Sequence, residues 1–100
     1  MYNIILIGAG YWGKNFLRLL HNMKDMYNFV GVVEINENIK KNIREKYPDL
    51  NIYNDYTKTF DLADIYLIAT PVATHYQIAK TCLENNKHII VEKPLTNSVK

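Results

Sequence analysis

The 100-residue sequence has one cysteine, three prolines and four glycines, and each scarcity removes a class of protein. A lone Cys82 closes no intramolecular disulfide, and no spacing of His, Cys and carboxylates outlines a metal site. So few prolines and glycines leave no low-complexity or collagen-like tract. No apolar run approaches the ~20 residues that a bilayer crossing needs. The run nearest the N-terminus, Ile4–Ile7, has no basic stretch before it and a glycine turn behind it, unlike a secretory signal. Twelve basic side chains against ten acidic ones give a net charge of +2, with neither a polybasic arm nor an acidic tail. The expectation is one cytoplasmic domain, with no nucleic-acid and no membrane partner.

What the sequence does contain is a change of period, repeated. Asn3–Ile7 is an apolar run bounded by glycine. From Tyr11 to Met26 the apolar residues Trp12, Phe16, Leu19, Leu20 and Met23 recur at helical spacing. Phe29–Val33 is a second β-branched run. After it Asn36 can cap a helix with an Ile39, Ile43, Tyr47 stripe, stopped by Pro48. Asn51–Tyr53 reads as a short third strand, and Thr57–Leu62 as a turn of helix. Asp64–Ala69 is the most continuous apolar run of the second half. Thr74-His75-Tyr76-Gln77 has the form of a capping box opening a helix that packs through Ile78, Ala79, Cys82 and Leu83. Asn85 and Asn86 are candidates for a left-handed helix end before His88–Val91. Strands alternating with helices imply a parallel sheet, and strands apolar on both faces imply helices on both sides. The expected fold class is α/β, a doubly wound parallel sheet of about five strands over residues 1–100.

Three of the four glycines fall in Gly8-Ala9-Gly10-Tyr11-Trp12-Gly13, a G-x-G-x-x-G between the first strand and the first helix. In that context Gly8 permits a tight turn, Gly10 lets a pyrophosphate approach and Gly13 lets helix and strand pack closely. The helix N-terminus offers N–H groups and a positive dipole end to the phosphates. Tyr11 covers the loop in this reading, and Trp12 fits the apolar stripe. Glu34 ends the second strand at about the expected distance of ~20 residues, where a carboxylate accepts from the adenosine ribose hydroxyls. It repels a 2′-phosphate, and Ile35 and Asn36 supply no guanidinium to offset that, so NAD is favoured over NADP. Lys40 or Lys41 remains within reach of such a phosphate. Thr70, Pro71 and His75 lie at the carboxyl end of the fourth strand, the position at which open α/β sheets bind ligands. Each residue also has a plainer role: Thr74 as a cap, His75 as a solvated first-turn histidine, Cys82 as helix core. Glu92-Lys93-Pro94 follows the fifth strand at the same end of the sheet.

GAGYWGKN at 8–15, VVE at 32–34, ATPVATHYQIAK at 69–80 and HIIVEKPLT at 88–96 together resemble the Gfo/Idh/MocA family of nicotinamide-dependent sugar dehydrogenases. GYWGKN and TPVATH look most like the branch acting on nucleotide-linked sugars. The resemblance implies hydride transfer between a sugar carbinol and nicotinamide, with Lys93 as the catalytic residue beside the reacting hydroxyl. It implies that Glu92 shapes that loop and that Pro94 follows a cis bond. Glu34 replaces the aspartate of many members, and Val72 replaces an asparagine on the nicotinamide side. Members continue into a sixth strand and a substrate domain, whereas this sequence stops at Lys100. The expected behaviour is cofactor binding without turnover by this chain, and the alternative is a stand-alone, non-catalytic nucleotide-binding module. An apolar His88–Val91 edge would favour self-association as a homo-oligomer.

Overall fold

The computed structural model describes residues 2–10, 13–23 and 27–91. The chain runs β1 (Asn3–Ile7), α1 (Gly13–Asn22), β2 (Asn28–Val33), α2 (Glu37–Lys46), β3 (Asn51–Tyr53), a 3-10 turn (Tyr56–Thr59), β4 (Ile65–Ile68), α3 (Val72–Glu84) and β5 (His88–Val91). The five strands form one parallel sheet in the order β3-β2-β1-β4-β5. The chain therefore winds outward from β1 through β2 to β3, then crosses back to place β4 on the other side of β1. That reversal opens a crevice at the carboxyl ends of β1 and β4.

Alternation along β1 sends Ile4 and Leu6 to one face and Ile5 and Ile7 to the other. The first pair packs with Val32 and Leu67 beneath Leu17 and Leu20 of α1 and Ile43 of α2. The second pair packs with Val33, Tyr66 and Ile68 against Ala63 and against Ile78 and Cys82 of α3. Helices thus cover both faces, as a sheet apolar on both sides requires. Tyr66 is fully buried, and its hydroxyl lies 2.7 Å from Thr59 Oγ1, so the 3-10 turn is tied to β4 from below.

The strands and their order of appearance agree with the periodicity, with differences at the ends. Ala69 lies beyond β4, yet its N–H donates to Ile7 O at 2.9 Å and prolongs the contact with β1. Asn36 caps α2 as expected, its Oδ1 accepting from Ile39 N at 3.1 Å, and Tyr47 ends the helix before Pro48. Asn86 takes the left-handed conformation with φ 63°, whereas Asn85 does not.

Four expectations are corrected. In α1, Leu17 is buried and Leu19 is half exposed, because the stripe facing the sheet is the 13, 17, 20 row. Thr74 opens no capping box: α3 starts at Val72 after Pro71, and the Thr74 hydroxyl donates back to Pro71 O at 2.8 Å from within the first turn. Proline has its φ fixed near the helical value, so it can begin a helix three residues upstream of the polar pattern. Leu83 is 56% exposed and lies outside the buried cluster that Ile78 and Cys82 join. The 3-10 turn also begins before the expected Thr57, because Asp55 caps it through Thr57 N at 3.0 Å.

Candidate functional site

The crevice is built first by glycine. Gly8 leaves β1 with φ +91°, a region that side chains rarely adopt, and a Cβ there would come within 2.9 Å of Thr70 Cγ2. Its N–H donates to Val33 O at 2.8 Å, which fixes the turn to β2. A Cβ on Gly13 would collide with the carbonyl oxygen of Gly8, so α1 can start here only without a side chain. Gly10 differs from both. Nothing among the described residues lies closer to a Cβ built on it than Ile39 Cδ1 at 3.8 Å, and its φ is outside the left-handed region. Packing among the described residues gives no reason for glycine at 10, and the backbone there lines the cavity. Among the described residues the Gly10 N–H has no hydrogen-bond partner.

Glu34 follows β2 and is buried, not exposed as a bare strand end would be. Its Oε1 accepts from Ala9 N at 2.7 Å, and its Oε2 accepts from Ile35 N at 3.2 Å and Asn36 N at 3.0 Å. The carboxylate therefore joins the glycine turn to the start of α2. Lys40 is also buried. Its Nζ lies 3.2 Å from Glu37 Oε2 and donates to Asn54 Oδ1, so this cation ties α2 to the segment after β3.

A cavity of about 640 Å³ lies at this end of the sheet, within the ~300–1,000 Å³ range of small-molecule sites. Of the candidate residues it brings together Gly8, Gly10, Glu34, Asn36, Thr70 and Pro71. Gly13 and His75 do not line it: Gly13 acts from behind by letting α1 approach, and His75 sits in the first turn of α3. The His75 Nε2 is buried and has no hydrogen-bond partner among the described residues. Tyr11, Trp12, Glu92, Lys93 and Pro94 lie outside the described residues.

The sequence reading missed part of the wall. Asn54, Asp55 and Tyr56, after β3, close the side of the cavity opposite Thr70 and Pro71, and Ile35 and Ile39 give it an apolar floor. No motif marks these residues. Their only signal is that a strand beside β2 must end near Glu34, and Glu34 N does donate to Tyr53 O at 2.9 Å. Asp55 holds its carboxyl below the ordinary carboxylate value, chiefly through the Thr57 hydroxyl and then the Thr57 N–H, so it is an anion at neutral pH. A second cavity of similar volume, lined by Lys14, Lys46 and Tyr47, lies between α1 and α2 and meets the first at Gly10 and Ile39. It reaches the glycine turn at Ala9 and Gly10 from the helix side, whereas Glu34 and the residues after β4 line the first cavity alone. Among the described residues no group of His, Cys and carboxylates could hold a metal, and no helix is long and apolar enough to cross a membrane.

Comparison with known proteins agrees with this geometry. The model of an oxidoreductase family with an NAD-binding Rossmann fold, GFO_IDH_MocA, matches residues 2–100. Levoglucosan dehydrogenase of Pseudarthrobacter phenanthrenivorans is 30% identical over 106 aligned residues, covering 96% of this chain and 27% of that protein. The scyllo-inositol 2-dehydrogenase (NADP(+)) of Bacillus subtilis is 26% identical over 93 residues, covering 91% of this chain and 25% of its own length. The crystal structure of an NAD-binding protein from Listeria innocua superimposes with a TM-score of 0.80 at 30% identity, over 94% of this chain and 28% of that one. The chain thus spans about a quarter of the length of the curated relatives it matches. With a parallel sheet reversing at β1, a glycine turn at the reversal and the family match over nearly its full length, this chain belongs to the Gfo/Idh/MocA oxidoreductases as an NAD-binding Rossmann fold.

Proposed function

We propose that this chain is the cofactor side of a dehydrogenase acting on a ring hydroxyl of a sugar or cyclic polyol, and that its cofactor is NAD. The observation that carries the reading is the meeting of the open Gly10 backbone with the buried Glu34 carboxylate on one cavity. The pyrophosphate would lie along the glycine turn and the N-terminus of α1. The adenosine ribose would take the acceptor site that the backbone leaves on Glu34 Oε1, and the base would rest on Ile35 and Ile39. Bound NAD supplies a hydride acceptor; the protein's own contribution is to orient it and keep it dry.

Preference for NAD over NADP follows from charge. A 2′-phosphate would have to sit beside a carboxylate that three backbone N–H groups hold in place. Lys40, the buried cation on that side, is already committed to Glu37 and Asn54. Lys93 would sit near the reacting hydroxyl and stabilise developing alkoxide, with Glu92 shaping its loop; both assignments come from the resemblance in E-K-P. The names of the two curated relatives favour a cyclic polyol or anhydrosugar over the nucleotide-linked sugar that GYWGKN and TPVATH suggest. Further parts of the reading are a cytoplasmic location and self-association through the β5 edge, where Ile90 is 51% exposed.

Titration with NAD and NADP tests the cofactor assignment. NAD should bind more tightly, and Glu34→Ala should weaken NAD while narrowing the gap to NADP. Equal binding of the two cofactors by the unaltered protein, or an unchanged gap in the variant, would overturn it.

A further inference from the structure

The two oxygens of Glu34 serve two different segments. Oε1 accepts from Ala9, inside the glycine turn, and Oε2 accepts from Ile35 and Asn36, at the entrance to α2. Ala9 and Glu34 are both buried, and they are 25 residues apart in the chain. We infer that Glu34 is a positioning residue for the glycine turn: it takes the Ala9 N–H, so that the next N–H, at Gly10, is the one presented to an anionic ligand.

The turn has few directions left. Gly8 N is bound to Val33 O at 2.8 Å, and Lys14 N to Gly10 O at 3.1 Å. Between these two anchors the Ala9 peptide could rotate, and its N–H would then compete with Gly10 for the same ligand oxygens. A buried acceptor fixed to β2 removes that freedom. That gives the glutamate at 34 a reason beyond reading ribose hydroxyls, and makes it act on the pyrophosphate end of the ligand through the turn.

This inference depends on the dinucleotide reading, so the test has one arm without ligand. In the protein alone, hydrogen exchange should find the Ala9 amide protected. Glu34→Ala should release it selectively, leaving the amides of β1 and β4 protected. Glu34→Leu, which keeps apolar bulk at 34 and has no acceptor oxygen, serves if the alanine variant fails to fold, and should likewise release Ala9. The second arm titrates NAD and an analogue whose adenosine ribose lacks both hydroxyls. A residue that only reads the ribose would leave the analogue's affinity unchanged on substitution. The positioning role predicts that the analogue still loses roughly tenfold, the scale of one charge-assisted hydrogen bond. Equal affinity of both proteins for the analogue, or equal exchange at Ala9, overturns the inference. Protection of Ala9 in a protein that binds neither NAD nor the analogue overturns the dinucleotide reading and the positioning role together, while showing the tie itself to be present.

Discussion

Two carboxylates stand at opposite ends of the same sheet and do similar work with different consequences. At the amino end Asp64 Oδ2 accepts from Asn3 N at 3.0 Å, and Asn3 Oδ1 in turn accepts from Asn28 Nδ2 at 2.7 Å. Asp64 N and O also meet Asn3 O and His88 N, so the starts of β1, β2, β4 and β5 are knitted together in the open. At the carboxyl end Glu34 is buried and accepts three N–H groups, yet the surface beside it is a cavity. One rim uses polar groups to join strands; the other uses them to fix a turn beside an open cavity. Hydrogen bonding alone does not mark a site. What marks it is hydrogen bonding that keeps backbone and volume open.

The severest way to break this contrast is to fill the carboxyl rim. Gly13→Val puts a side chain where the Gly8 carbonyl stands, and overpacking of this kind costs about 3 kcal/mol or more when the obstacle is backbone. Urea unfolding should show that loss, with cofactor binding lost alongside. A variant as stable as the unaltered protein would mean that α1 does not need its close approach to β1.

A sharper comparison removes the two carboxylates in turn. Glu34→Ala orphans the buried Ala9 donor and should cost about 1–3 kcal/mol in unfolding free energy. Asp64→Ala frees an exposed Asn3 donor that water can satisfy, and should cost less than about 1 kcal/mol. Equal costs would erase the distinction between the rims.

The sequence foretold the carboxyl rim better than it foretold the amino one, for a physical reason. Glycines at 8, 10 and 13 and an acid after β2 are needed by chemistry that recurs, so their spacing carries meaning. Asp64, Asn3 and Asn28 are ordinary strand-end residues whose pairing depends on the register of three strands. Helix starts were legible where a side chain caps, as at Asn36, and illegible where backbone shape decides, as at Pro71. Leu17 and Leu19 could not be told apart by type, since only the angle at which α1 meets the sheet selects between them. Asn54, Asp55 and Tyr56 reach the cavity through tertiary placement of β3, which no local pattern encodes.

A group remote from both rims provides a control on the core. Burial pushes the Cys82 thiol up from 9.0 to about 11, the Lys87 cation opposing. Folding therefore favours the protonated thiol. Its contribution is whole below pH 9 and is lost as the pH rises from 9 through about 11, because the unfolded chain ionises first; at pH 10 the loss is roughly 1 kcal/mol. Cys82→Ala should flatten that part of the alkaline profile and leave the Glu34 and Asp64 differences as they were. A profile equally steep in the variant would assign the loss to other groups, Tyr66 first among them, since burial raises its hydroxyl too.

The smallest change in stability should come from the glycine that matters most for binding. Among the described residues Gly10→Ala meets only Ile39 Cδ1, 3.8 Å away, and it requires no left-handed backbone. Alanine also narrows the freedom of the unfolded chain, so the variant should match the unaltered protein or exceed it by about 0.4–1 kcal/mol. Its methyl group would nevertheless occupy the space into which a pyrophosphate must come, and NAD affinity should fall at least roughly tenfold. Stability and affinity moving in opposite directions at one position is the outcome that separates a glycine kept for a ligand from glycines kept for the fold. Alanine at 10 that bound NAD unimpaired would leave the carboxyl rim, like the amino one, explained by packing alone.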